Sequence, residues 1–157
     1  AGLTDLGWDG VIVGPGPGDP RDDGDAKSRT LREATARLLE QRRPFLAVCL
    51  GHQALGHELG LPLAYKDIVF QGTQSPVAID GRTERVGFYN TFVGRVDAAT
   101  ALPAGVSVET EPGSGDVHLL RGPHYRGIQF HAESILTEHG YDLLHELVAD
   151  LLVPQVP

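Results

Sequence analysis

The chain has 157 residues, 41% hydrophobic and 22% charged, which fits one soluble globular domain with a sizeable core. A formal net charge of -8 argues against nucleic acid or an anionic membrane as partner. One cysteine allows no internal disulfide and points to a reducing compartment, and neither a signal-peptide pattern nor an apolar run long enough to cross a membrane is present. There is no methionine, so the chain does not open at a natural start codon, and we expect it to be a piece of a longer polypeptide.

In chain order, Val11-Ile12-Val13 gives a short apolar strand that runs into Gly14-Pro15-Gly16-Pro17-Gly18-Asp19-Pro20. Alternating proline and glycine form neither helix nor central strand. Only the glycines there carry a backbone N–H to donate. Taken alone, such a cluster is a rigid turn. After a strand of an open parallel sheet, it lies in the crevice at the carboxyl ends, where ligands bind. Asp25 is a plausible N-cap for a helix over roughly residues 26–42, with Leu31, Ala34, Leu38 and Leu39 on one face.

Phe45 to Val48 reads as a buried strand, and Gln53 to Leu59 as a helix stopped by Gly60. Cys49 then sits in a sharp strand-to-helix turn completed by Leu50 and Gly51, comparable to a nucleophile elbow. An unpaired cysteine at the end of an apolar strand is most often a small buried hydrophobe. The alternative is a nucleophile whose pKa is lowered by a helix N-terminus and a histidine, to ~3.5–7.5.

Residues 61–130 hold short extended runs: Val77 to Ile79, Arg85 to Phe92, Val106 to Val108, Val117 to Leu120 and Gly127 to Phe130. Asp80-Gly81 is a hairpin signal. The expectation is a mixed or antiparallel extension of the sheet, giving a doubly wound, mostly parallel α/β fold. The run ending at His131 is followed by Glu133, a carboxylate able to fix an imidazole tautomer and steady its cation. Tyr141, Leu144, Leu147, Val148, Leu151 and Leu152 form a 3.6-period stripe, read as a last helix packed on the core. The other histidines have no metal-ligand spacing.

Pro-Gly-Pro-Gly after a strand, Cys49-Leu50-Gly51-His52-Gln53 at an elbow and Gln129-Phe130-His131-Ala132-Glu133-Ser134 before a last helix occur in this order. Together they resemble the class I, triad-type glutamine amidotransferase domains, with a flavodoxin-like sheet, and within them the anthranilate synthase group. The resemblance implies that Cys49 attacks the side-chain amide of L-glutamine, His131 carries the proton and Glu133 orients His131. It implies an oxyanion hole from the N–H groups of Gly16 and Leu50, and a substrate pocket including Gly16, Pro17, Gly18, Gln53, Thr91 and Phe92. It implies a cytoplasmic domain without a metal or cofactor of its own, serving a chorismate-binding synthase domain or subunit in which Mg²⁺ is expected.

Ala47 stands where the family usually has glycine two places before the cysteine, and Gln71-Gly72 stands where tryptophan-pathway members carry His-Gly. Gly87-Phe88-Tyr89-Asn90-Thr91-Phe92 is similar to the phenazine-type enzymes, which make 2-amino-2-desoxyisochorismate. The family places a strand, a helix and a second strand before the Pro-Gly-Pro-Gly loop, whereas only Ala1 to Gly10 precede Val11. We therefore expect residues 1–157 to be the C-terminal part of a synthase, short of N-terminal strands in the middle of the sheet. Another Cys-His-Glu hydrolase of the same fold, such as a γ-glutamyl hydrolase or peptidase, and an inactive docking module are the alternatives.

Overall fold

The structure, a computed structural model, describes residues 7–153. The elements are β1 (Val11–Val13), α1 (Ala26–Glu40), β2 (Phe45–Val48), α2 (Leu50–Glu58), β3 (Leu63–Tyr65), β4 (Thr73–Ile79), β5 (Arg82–Phe88), β6 (Phe92–Gly94), β7 (Ser107–Thr110), β8 (Val117–Arg121), β9 (Tyr125–Ile128) and α3 (Gly140–Leu152). No described helix is long and apolar enough to cross a membrane.

The main sheet has the order β1-β2-β9-β8-β7. β1, β2 and β9 run parallel, so the loop after β1, Cys49 after β2 and the segment after β9 leave by one edge. β8 and β7 extend the sheet antiparallel. The expected fold class holds, but not all the middle strands join this sheet. β3 pairs only with β6, and β4 only with β5, as separate two-stranded ribbons. The Asp80-Gly81 turn forms as expected, with φ of 51° and 75°, the left-handed pair a tight hairpin demands.

β2 shows why the sheet is covered on both faces. Leu46 and Val48 pack with Ile79, Val86, Phe88, Leu143 and Leu147 from the β4–β5 ribbon and α3. Phe45 and Ala47 pack with Leu38 and Leu55 from α1 and α2 on the other side. Alternate residues of one buried strand feed two cores. Asp25 caps α1, accepting from the N–H groups of Lys27 and Ser28.

Several boundaries differ from the sequence reading. α1 stops at Glu40, because Arg42 takes a left-handed φ of 54°. α3 buries Leu143, Leu147 and Leu151, with Leu144 and Val148 packed at the edge of the core, whereas Tyr141 is 81% exposed, so the core-facing stripe runs through Leu143 in place of Tyr141. Arg85 to Phe92 is not one run: β5 ends at Phe88 and β6 starts at Phe92. β9 ends at Ile128, and His131 lies beyond it, bridged singly to Gly87. The sheet has no gap between its strands, so a further strand would find hydrogen-bonding room only outside β1 or β7, not among the five. Residues 1–6 and 154–157 lie outside the described region.

Candidate active site

The first fixed point is the turn after β2. Cys49 alone makes the bend, at φ 54° and ψ −105°, and α2 starts at the next residue. Leu50 and Gly51, expected to complete the bend, are already helical. Gly51 serves packing instead: a Cβ there would lie 2.3 Å from the Val13 carbonyl oxygen, closer than any real contact. The Cys49 N–H donates to the Ile128 carbonyl at 2.8 Å, and the Cys49 carbonyl accepts from Gln53 N–H at 3.0 Å. A non-glycine residue in such a conformation costs ~1–3 kcal/mol. The neighbouring strands and the helix hold it there.

Burial, foremost, pushes the Cys49 thiol up to about 11, the Leu50 N–H pulls it down, and the Glu133 charge raises it again. This overturns the expectation of a lowered pKa: the helix start does donate toward the sulfur, but removal from water outweighs it. The resting group is a neutral thiol, and its attack requires a base.

His131 supplies one. Its Nδ1 lies 2.6 Å from Glu133 Oε1. A carboxylate only accepts, so Nδ1 donates and Nε2 carries the lone pair. That Nε2 is buried without a partner. The His131 main chain is pinned to the β5 end: its N–H donates to the Gly87 carbonyl at 2.9 Å, and its carbonyl accepts from Thr137 Oγ1 at 2.6 Å. Thr137 Oγ1 in turn accepts from Gly87 N–H. Glu133 is 62% exposed at its side chain, so its charge is partly screened.

Cys49 and His131 line one cleft of about 710 Å³, together with Gly16, Pro17, Gly18, Gln53, Thr91 and Phe92. Leu50 and Glu133 stand just outside its lining. A side chain at Gly16 would come 3.6 Å from the Leu50 side chain, so the glycine loop sits against the start of α2. Lys27 Nζ clamps this loop, donating to the Pro17 carbonyl at 2.6 Å.

The Asn90–Phe92 segment shows a ligand less of its backbone than expected. The Asn90 carbonyl accepts from Phe70 N–H and the Thr91 carbonyl from Lys66 N–H. The Phe92 carbonyl accepts from Gln53 Nε2 at 2.8 Å and Asn90 Nδ2 at 2.7 Å. Gln53 Nε2 also donates to Gln129 Oε1 at 3.1 Å. The Gln53 nitrogen is thus spent on the protein, which leaves its oxygen for a ligand.

Pro15, Asp19, Gln71, Tyr89 and Asn90 also line the cleft outside the expected set, and two of them bear on its chemistry. Tyr89 sets its ring against the His131 ring, T-shaped, with centroids 5.1 Å apart, and its hydroxyl lies 3.1 Å from Ser134 Oγ. Asp19 is the one carboxylate among the described residues lining the cleft. Hydrogen bonds from Arg21 hold its carboxyl below the ordinary range. Arg21 also lies over the Phe92 ring at 5.0 Å, joining the glycine loop to the far wall. Asp19's place in the Gly-Pro loop was the available signal; Tyr89 gave none, because its contact with His131 is made only in the fold.

Residues 3–151 match the family described as Glutamine amidotransferase class-I. The chain belongs to that family. An "Anthranilate synthase, phenazine specific" of Pseudomonas fluorescens is 45% identical over 150 residues, covering 94% of this chain and 24% of that protein. The chain therefore spans about a quarter of the length of this relative. An "Anthranilate synthase component II" of Haloarcula marismortui is 35% identical over 154 residues, covering 91% of this chain and 76% of that protein. Among solved structures, a glutamine amidotransferase from Thermotoga maritima superposes with a TM-score of 0.66 at 17% identity, covering 97% of this chain and 66% of that one. This amidotransferase domain is an enzyme component of the anthranilate synthase component II type, with phenazine-specific homologues.

Proposed function

We propose that this domain hydrolyses L-glutamine through Cys49, His131 and Glu133 and passes the ammonia to a chorismate-aminating synthase domain. The observation that carries the reading is the shared cleft: a neutral thiol and an imidazole whose bare Nε2 is buried without a partner, its tautomer set by Glu133. As the Cys49 sulfur bonds to the amide carbon of glutamine, its proton passes to His131 Nε2. The amide oxygen takes up negative charge beside the N–H groups of Leu50 and Gly16. Collapse breaks the C–N bond, and the leaving nitrogen takes the proton from His131 and departs as ammonia. A water then loses a proton to His131, adds to the glutamyl thioester and frees glutamate and the thiol. Asp19 is the cleft's anion for the substrate's α-ammonium group, and the Gln53 oxygen is a second acceptor for it.

The acceptor reaction follows the relatives named phenazine-specific, hence chorismate and, with Mg²⁺ in the partner, 2-amino-2-desoxyisochorismate or anthranilate in the cytoplasm. In this reading the partner is fused ahead of the domain, and additional strands pair outside β1, where Ile12 is 64% exposed. Cys49→Ser in the longer polypeptide tests the assignment. Glutamine-dependent amination of chorismate should vanish, while amination from a high concentration of ammonium salt should persist. Retained glutamine-dependent activity would exclude Cys49 as nucleophile. Equal loss of both, in a folded variant, would exclude the ammonia-supplying role.

A further inference from the structure

Behind Gln53, on the segment that leads from β9 to His131, lies Gln129, which is 1% exposed. The sheet holds its backbone, with the Gln129 N–H donating to the His118 carbonyl at 3.0 Å. Its side chain makes one hydrogen bond among the described residues: Gln129 Oε1 accepts from Gln53 Nε2 at 3.1 Å. Gln129 Nε2 is buried and has no partner there. A buried amide left half unpaired costs stability, and an apolar side chain of similar length would avoid that cost. What an amide at this position supplies is the bond to Gln53.

That bond bears on which end of Gln53 faces the cleft. An amide nitrogen carries two hydrogens, and Gln53 Nε2 directs one to the Phe92 carbonyl at 2.8 Å and the other to Gln129 Oε1. A carbonyl only accepts, so Phe92 assigns the nitrogen of Gln53, and that nitrogen assigns the oxygen of Gln129. With the Gln53 amide turned over, its oxygen would meet the Phe92 oxygen and the hydrogen bond there would be lost. Phe92 does not hold Gln53 alone, because Asn90 Nδ2 donates to the same carbonyl at 2.7 Å. Without an acceptor at 129, the Gln53 amide is free to turn and present N–H groups to the cleft in place of oxygen. Gln53 lines that cleft together with Asp19 and Cys49.

We infer that Gln129 is a positioning residue that sets substrate specificity. It holds the Gln53 oxygen toward the cleft, so that the site takes a γ-carboxamide acid bearing an α-ammonium group and discriminates against one without it. The inference rests on the glutamine-hydrolysing reading above. An amide oxygen facing an ammonium group makes a charge-assisted hydrogen bond, whereas an amide N–H in its place sets donor against donor. A site built to hydrogen-bond a substrate group rejects the analogue lacking that group, because its own polar atom is then left unpaired.

The test compares L-glutamine with glutaramate, the same γ-carboxamide acid without the α-amino group, in the longer polypeptide, by ammonia release. Where glutaramate turns over too slowly, its inhibition constant is set against the glutamine KM. In Gln129→Met the preference for glutamine should fall at least about tenfold, through a higher KM for glutamine with little change in kcat or in the constants for glutaramate. Gln129→Leu removes the acceptor a second way if the methionine variant does not fold. Gln129→Glu, which keeps an acceptor toward Gln53, should restore the preference. Gln53→Met should lower the preference by itself, and Gln129→Met added to it should lower it no further. A folded Gln129→Met or Gln129→Leu variant that keeps its preference, or that loses activity equally toward both substrates, would overturn the inference. So would a further loss in the double variant, or a folded Gln129→Glu as indiscriminate as the methionine variant. No ammonia from glutamine in the unaltered polypeptide would instead overturn the reading on which the inference rests.

Discussion

Iodoacetamide should alkylate Cys49 slowly at neutral pH and ever faster toward strong alkali when no substrate is present. The thiol is pushed up to about 11 by burial. At pH 7 that leaves about one thiolate in ten thousand, against a few per cent for a free cysteine. Because only the thiolate reacts, the rate should rise about tenfold per pH unit from 7 and level off only near 11. The assay is the second-order rate constant at fixed reagent over pH 6–10.5, read by mass spectrometry of the single modified residue. Exposure alone cannot produce that slope, since it changes with pH only if the chain unfolds, which circular dichroism on the same samples would reveal. A plateau already reached near pH 7 would refute the reasoning. It would mean that Cys49 and His131 rest as a thiolate–imidazolium pair, with charge attraction exceeding the burial cost.

The same shift fixes the sign of its effect on stability. In the unfolded chain the thiol ionises near its ordinary 9.0, and in the folded chain near 11. Above pH 9 the unfolded state therefore binds fewer protons than the folded one, and stability falls as pH rises. Its contribution is complete below pH 9 and lost through 11, about 3 kcal/mol in all. Cys49→Ala should flatten the alkaline limb of a urea-midpoint profile.

Glu133→Gln should keep the fold and lower glutamine turnover about 10- to 100-fold, short of the ~10⁴ seen when loss of a triad anion also upsets the tautomer; unchanged turnover would remove Glu133 from the site. Tyr89→Leu should lower kcat for ammonia release several-fold and shift the pH profile of kcat/KM, while Tyr89→Phe, which keeps the ring against His131, should restore the profile; a Leu variant with a wild-type profile would deny Tyr89 a positioning role. Burial lowers the His52 pKa from 6.5 to about 4, so its contribution is complete above pH 6.5 and falls by about 3 kcal/mol as pH drops to 4; the acid slope of the urea midpoint should shrink in His52→Gln, and an unaltered slope would refute the assignment.

The parts of the fold written in local pattern were legible in the sequence. β2 is four apolar residues after a proline, and both of its faces are buried. Asp80-Gly81 names its turn because only a few residues tolerate the left-handed pair it needs. Cys49, Gln53 and His131 were found, and the fold brings them to one cleft. What periodicity could not give was the exact facing of α3: Tyr141 fits the apolar spacing of Leu144 and Val148, yet the buried line runs through Leu143, Leu147 and Leu151. Nor could it give the thiol's pKa, which depends on how much of the molecule closes over the sulfur. Tyr89 and Asn90 fall inside the stretch Arg85 to Phe92, which reads as one extended run. Their contacts, with His131 and with Phe92, exist only after β5 and β6 separate there.

The two ends of the site are held by different machinery, and that explains where its glycines fall. The nucleophile belongs to the sheet: β9 accepts from the Cys49 N–H, and β1 presses its Val13 carbonyl where Gly51 lacks a side chain. The imidazole belongs to the ribbon: β5 accepts from the His131 N–H through Gly87, where a Cβ would meet the Leu136 Cβ at 2.7 Å. Neither glycine has a positive φ. Each is required for close approach rather than for a turn. Sheet and ribbon are joined through the shared core of Val48, Cys49, Val86, Phe88 and Phe130. The alignment of sulfur and imidazole therefore rests on this packing together with the few hydrogen bonds that cross between ribbon and sheet, such as that of His118 Nε2 to the Ala78 carbonyl. A cavity-forming change in that core, remote from any polar group of the site, acts on the chemistry through the registry of the two units.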